Sequence, residues 1–445
     1  MLKKPLFLLL LLFACSFAHA ALHIQSWTLA SGARVLFVEN HSIPILDLNV
    51  EFDAGARRDP PGKAGTAALT NHMLARGVHE ALLPGPSPQV EPALTEAQIS
   101  DAFADIAAQP GDDAGEDRAG MSLRTLSSQE ERDTAVRLLA RLLAHPSFPA
   151  DFFARDKART IAAIKEDLTK PEAIADKAFS RLAYGAHPYG QETTVATVEA
   201  ITREDLLAFH GAHYVANRAV IAMIGDITRA QADAIAQQLT MRLPQGAPLP
   251  ALPEVPLAQA KEERIAHPAS QSHILIGAPA VARGDADYFA LITGNYVLGG
   301  GGFVSRLTQE VREKRGLAYS VYSTFNPLAQ KGPFEIGLQT KKEQTDQALL
   351  IVRDVLATYL RDGPTPKELK AAKDNLIGGF PLRIDNNRKI LGNIAAIGYY
   401  NLPLDYLDTW TANVAKVTLG DIRAAFKRKI AADRLVTVVV GATTP

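Results

Sequence analysis

The sequence predicts an α+β protein of two homologous domains, each an antiparallel-rich sheet backed by helices. Three observations carry the prediction. "VEAITREDLLAFHGAHYVANRAVIAMIGDIT" from Val198 and "VAKVTLGDIRAAFKRKIAADRLVTVVVGATT" from Val414 align without a gap, and Thr202/Thr418, Asp205/Asp421, Arg218/Arg434 and Gly225/Gly441 are each 216 residues apart (418 − 202). A fixed offset over such a length marks an internal repeat. Five prolines between Pro244 and Pro256 ("PQGAPLPALPEVP") exclude a helix or a central strand and divide the chain nearly in half. Within each half, strand-like and helix-like spacings of apolar residues come in blocks, the pattern of a sheet layered on helices.

Taken in order, the chain opens with "MLKKPLFLLLLLFACSFAHA". Lys3 and Lys4, an apolar run from Pro5 to Phe17 and Ala18-His19-Ala20 form the basic region, apolar region and cleavage site of a secretory signal over residues 1–20. The 13-residue apolar run is too short to span a bilayer. Export to the periplasm is therefore expected, and the mature chain carries no transmembrane segment. Cys15, the only cysteine, leaves with the signal, so no disulfide is available to the mature protein. A lipid anchor on Cys15 is the rival reading; Phe13 fits a lipoprotein box poorly and the cleavage site competes with it.

The first domain is expected over residues 21–240. "ARVLFVENHSIPILDLNVEFDAG" (33–55) reads as two strands around a turn, and "GTAALTNHMLARG" (65–77) as a helix bearing His72. "LLPGPSPQVEP" (82–92) has four prolines and reads as an inserted surface loop. Residues 130–148 and 149–168 have apolar positions at helical spacing. In the repeat, a Thr N-cap opens a helix, a polar turn follows, and an apolar strand ends at Gly. The linker is expected over 241–258 and the second domain over 259–445. There, Val304, Leu307 and Val311 mark a helix face, Lys314 and Arg315 suit the negative end of the helix dipole, and Gly316 suits its C-cap. "LAYSVYSTF" then alternates as a strand, with Leu317, Tyr319 and Val321 on one side.

The bulk numbers bound the function. Apolar residues make up 47% and charged residues 21% of 445, with a formal charge of −1, a soluble globular balance without a basic nucleic-acid surface. "LGGGGF" (298–303) lacks both the Lys-Ser/Thr of a phosphate loop and the spacing of a dinucleotide fingerprint. Gly299, Gly300, Gly301 and Gly302 suit a close backbone approach, a mobile substrate-side loop or a purely structural turn.

The order of hairpin, "AGARRDPPGKAGTAALTNHMLARGV", a helix pair ending in "IKEDL", "AYGAHPYG", "YVANRAVIAMIGD" and "NYVLGGGGFVSRLTQEVREKRGLAYSVYSTF" resembles the pitrilysin/insulinase-like metallopeptidases. It is most similar to the short two-domain members related to mitochondrial processing peptidase. That resemblance implies half of a clamshell in which a zinc half faces an Arg/Tyr half. Active members carry H-x-x-E-H, which sets two histidines on one helix face around a metal, with the Glu as base toward its water. Matching that motif places Ala68 at the first His, Asn71 at the Glu, His72 at the second His and Glu166 at the third ligand. Ala68 has no donor and the Asn71 amide cannot act as a base. His79 lies about 10 Å along a helix from His72, too far to share a metal. The resemblance thus implies a degenerate zinc site, no cofactor in this chain, and His72 as a partly buried histidine with one hydrogen bond. Arg312 and Tyr319 match the family's Arg/Tyr pair in type and spacing; a charged helix end followed by an aromatic strand residue is the alternative. The implied function is a non-catalytic subunit of a heterodimeric zinc peptidase acting on peptides, its zinc held by a homologous partner. A peptide-binding or scaffold protein is the other reading.

Overall fold

The structure is a computed structural model that describes residues 22–83 and 89–441. The signal segment 1–20 with Cys15, the tip of the proline-rich loop and the end of the repeat at Thr444 lie outside the described residues.

The first half contains strands β1 (Gln25–Thr28), β2 (Arg34–Glu39), β3 (Ile45–Phe52), β4 (Gly77–Val78), β5 (Ala81–Leu83), β6 (Gln89–Glu91), β7 (Leu94–Thr95), β8 (Gln109–Ala114), β9 (Ala119–Leu126) and β10 (Val220–Gly225). Its helices are α1 (Thr66–Met73), α2 (Glu96–Ala104), α3 (Gln129–Ala144), α4 (Ala150–Asp167), α5 (Pro171–Tyr184), α6 (Val195–Ala200), α7 (Arg203–His213) and α8 (Arg229–Thr240). The second half has strands β11 (Lys261–Ile265), β12 (Gln271–Val281), β13 (Ala318–Phe325), β14 (Gly332–Lys341) and β15 (Val436–Val440). Its helices are α9 (Tyr288–Asn295), α10 (Thr345–Asp362), α11 (Pro366–Gly379), α12 (Asn387–Tyr399), α13 (Tyr406–Lys416) and α14 (Leu419–Lys429).

One sheet runs β1-β2-β10-β3-β9-β8 and the other β11-β15-β12-β14-β13. The repeat explains the likeness. In both α7 and α14 a threonine N-cap, Thr202 or Thr418, closes a capping box with the aspartate three residues on. The strand after each helix then enters the middle of its sheet, parallel to one neighbour and antiparallel to the other.

Two expectations are corrected here. β2 and β3 do form around the turn, but they do not pair, because β10 lies between them. "VIAMIG" is apolar on both faces and therefore needs a slot covered on both sides. Ile221 and Met223 face the first half's own core, while Ala222 and Ile224 face a second cluster. The proline-rich insertion is also not wholly a loop, since β5 and β6 at its base pair antiparallel.

That second cluster belongs to a helix of the other half. Ile390, Leu391 and Ile394 of α12 pack on Leu36 and Val38 of β2 and on Ala222 and Ile224 of β10. Reciprocally, Ala175, Ala178 and Phe179 of α5 pack on Leu275 of β12 and on Val436, Val438 and Val440 of β15. Each half therefore lends one helix to cover the other's sheet, which ties the halves through two apolar cores. Residues 244–260 take no helix or strand. They are held along the junction by Arg58 donating to the Pro250 carbonyl (2.8 Å) and Gln330 donating to that of Pro253 (2.9 Å).

Candidate functional site

Helix α1 starts because Asp59, not an N-cap side chain, takes its first free amides. Its carboxylate accepts from Gly65 N and Ala67 N, each at 2.7 Å. Burial pushes the Asp59 carboxyl up to about 6, against the pull of these two bonds.

Ala68 and His72 fall on the exposed face of α1, and Asn71 on the buried one. Both ends of the Asn71 amide are engaged. Its Nδ2 donates to the Asp113 carbonyl of β8 (3.0 Å), and its Oδ1 accepts from the Tyr214 hydroxyl (2.9 Å), whose ring is completely buried. His72 is half-exposed and sits between charged groups. Its Nδ1 lies 3.4 Å from Asp112 of β8, and its Nε2 lies 3.7 Å from Asp156 of α4 and against the Arg76 guanidinium. The hydrogen bond with His72 holds the Asp112 carboxyl below the usual range. Arg76 is bound in turn by Asp156 (2.8 Å) and Glu96.

These residues do not fit a zinc ion. Ala68 supplies no donor, Asn71 is spent in the core, and His72 Nε2 meets the Arg76 guanidinium, a cation. Glu166 is placed elsewhere than expected. Its carboxylate is 70% exposed and bound to Lys170 (2.9 Å). It lies ten residues beyond Asp156, about 15 Å along α4 from the carboxylate beside His72. It is also turned about 80° from the Asp156 face, where Ala163 stands instead. Among the described residues no group of three His, Cys, Asp or Glu could hold a metal. Arg76 was not singled out from the sequence, although its place four residues after His72 on one face was a usable signal.

The second half does bring its expected residues together. Arg312 ends a π-helical turn, Thr308–Glu313, rather than a plain α-helix. Gly316, at φ +62°, stops it, with Gly316 N on Arg312 O at 2.8 Å. The extra residue per turn changes the phase of the helix, and such turns recur at functional sites. β13 also departs from simple alternation. Ala318 pairs with Thr340 but Val321 with Leu338, so a bulge intervenes. Tyr319 therefore points outward, 80% exposed, while Val321 is buried; the two do not share a face as expected.

The Arg312 guanidinium carbon lies 5.0 Å from the centre of the Tyr319 ring and 4.7 Å from that of Phe303. Phe303, 64% exposed, is carried by the glycine loop and was not identified from the sequence. The loop is built for close approach, since a Cβ on Gly299 would stand 2.4 Å from Ser323 N of β13. Gly302, at φ +59°, turns the chain into Phe303. The result is an outward-facing cluster that offers guanidinium and phenol donors at a sheet edge. No hydrogen bond or ion pair among the described residues joins it to His72.

Comparison with known proteins now decides the family. A family model described as "Peptidase M16 inactive domain" matches residues 200–376. A crystal structure of a peptidase M16 inactive domain from Pseudomonas fluorescens is 38% identical, with a TM-score of 0.88 over 95% of this chain and 98% of that one. The chain belongs to the M16, or pitrilysin-like, peptidase family. Within it, the chain is similar to the "non-peptidase homolog YmxG" of Helicobacter pylori, 25% identical over 399 residues and 88% of each chain. It is equally similar to the "uncharacterized zinc protease YmxG" of Bacillus subtilis, 25% identical over 377 residues, 83% of this chain and 87% of that one. Both names occur among M16 relatives, so the site must separate them. The dismantled α1 motif makes this chain an inactive member.

Proposed function

We propose that this chain is the exported, periplasmic, non-catalytic subunit of a heterodimeric zinc peptidase. Its partner is a homologue of similar size that keeps H-x-x-E-H and the zinc. The observation that carries the reading is an asymmetry. The α1 face has its side chains committed to core and ion-pair duties, whereas Arg312 and Tyr319 stand together, Arg312 paired only through Nε with its neighbour Glu313 (3.4 Å) and the Tyr319 hydroxyl and Arg312 Nη atoms without a hydrogen-bond partner among the described residues. Across a clamshell, the guanidinium would hold a substrate carbonyl or carboxylate and the phenol would donate to the oxyanion that develops at the partner's zinc. Substrates on this reading are peptides or small unfolded proteins.

The test is co-expression with a homologue bearing H-x-x-E-H, followed by sizing and peptide cleavage. Activity that requires both chains supports the proposal. A partner equally active alone would leave this chain a peptide-binding or scaffold protein.

A further inference from the structure

Buried polar groups without partners are rare in folded proteins, and each one asks for an explanation. Among the described residues four of them are guanidinium Nε atoms, those of Arg57, Arg141, Arg218 and Arg283. Three of these arginines, Arg57, Arg218 and Arg283, line a single cleft of about 410 Å³ at the junction of the two halves, and Arg141 lies elsewhere. Arg57 and Arg218 come from the first half and Arg283 from the second.

The charges there do not cancel locally. Asp53, the carboxylate of the cleft, is already taken by Arg58 through two bonds of 3.0 and 2.6 Å and by Arg57 at 3.0 Å. Asp117, buried behind it, is taken by Arg57 (2.8 Å), by the hydroxyls of Tyr189 and Tyr400 (2.5 and 2.9 Å) and by Ala329 N (2.8 Å). Arg218 spends its Nη atoms on the carbonyls of Ala212 and Ala247 and meets no carboxylate. Arg283 makes no side-chain hydrogen bond or ion pair with any described residue; it lies over the Tyr400 ring at 5.3 Å. Two guanidiniums from opposite halves thus face one solvent-open cleft without a carboxylate bonded to either, beside an aromatic wall.

We propose that this cleft binds a small oxyanion, a phosphate or carboxylate group held by the Arg283 guanidinium beside the positive charge of Arg218, with any organic remainder against Tyr400. A guanidinium fork matches both groups in geometry, and the bound charge would complete the Arg283 donors that the protein leaves open. Because the ligand contacts both halves, binding would also stabilise their junction. The site is independent of the Arg312–Tyr319 cluster and of any peptidase role.

The experiment is thermal unfolding and calorimetric titration of the full chain with inorganic phosphate and, separately, succinate, against chloride at equal ionic strength. The expected result is a saturable rise in Tm with one site per chain for at least one of the two anions. Tighter phosphate binding assigns a phosphate ester and tighter succinate a carboxylate. Arg283→Gln should abolish the rise, Arg283→Lys should weaken binding about tenfold by losing the fork while keeping the charge, and Arg361→Gln on the exposed surface should leave it unchanged. A rise matched by chloride, or retained in both Arg283 variants, overturns the proposal.

Discussion

The hydroxyl of Tyr214 and the side-chain oxygen of Asn71 are 2.9 Å apart, joined by a hydrogen bond in the core at the position that the resemblance to H-x-x-E-H aligns with the glutamate. In this chain Asn71 serves the packing of the core.

Asn71→Ala should therefore damage the fold, not an activity. It strands the buried Tyr214 hydroxyl and frees the Asp113 carbonyl, at a cost of about 1–3 kcal/mol. His72→Ala, on a half-exposed ring, should cost less than about 1 kcal/mol. Denaturant unfolding of the two variants checks the contrast. Equal losses would contradict it.

The exchanged helices make a second prediction. A Cβ on Gly398 of α12 would stand 2.4 Å from Leu36 Cδ1 and 2.8 Å from Val220 Cγ1 of the first sheet. Gly398→Val should overpack this contact and cost about 1–3 kcal/mol. Because α5 and α12 tie both cores together, wild type and variant should each unfold in one calorimetric transition, the variant's shifted down as a whole. Two resolved transitions, with only one shifted, would show that the halves unfold separately.

Much of this architecture was legible. The 216-residue offset read from Thr202 and Thr418 also relates the starts of α3 and α10, α4 and α11, and α5 and α12. It was visible in the sequence only where Thr caps and an apolar strand left residue-level marks. That α5 and α12 cover each other's sheets was not legible, since periodicity tells which face of a helix is buried but not against what. The β2–β10–β3 order was hidden for a similar reason: a turn predicts neighbouring strands, and only the two-sided burial of β10 shows what separates them. At the site, the loss of donors at Ala68 and Asn71 was plain from residue types. The misplacement of Glu166 came from matching an "IKEDL" string without asking which side of α4 it occupies. Tyr319's exposure depends on a bulge, which leaves no mark in the apolar pattern.

Arg306 and Glu368 give a pH-dependent prediction near the Arg312 turn. Two bonds of 2.7 Å join them, and Thr365 adds a capping-box bond. Burial raises the Glu368 carboxyl, but the Arg306 bonds outweigh it and hold the group at about 2. A folded value below the unfolded one means stability that is present above about pH 4.3 and lost as pH falls from there through 2. Allowing for solvent screening of a partly exposed group, Glu368→Gln should cost about 1 kcal/mol at pH 7, and the gap to wild type should close between pH 4.3 and 2. Urea titrations across this range check it. A gap that is constant or widens in acid would contradict the pair's role.

The central claim, that this chain supplies Arg312 and Tyr319 to a zinc held by a partner, is tested most directly by peptide cleavage with the reconstituted pair. Tyr319→Phe should lower kcat by roughly a hundred- to a thousand-fold, the usual effect of losing one oxyanion donor. Arg312→Ala should raise KM as well as lower kcat, because it positions substrate. Neither should change dimerisation on sizing or the partner's zinc content. Full activity of the Arg312→Ala, Tyr319→Phe double variant would contradict the claim.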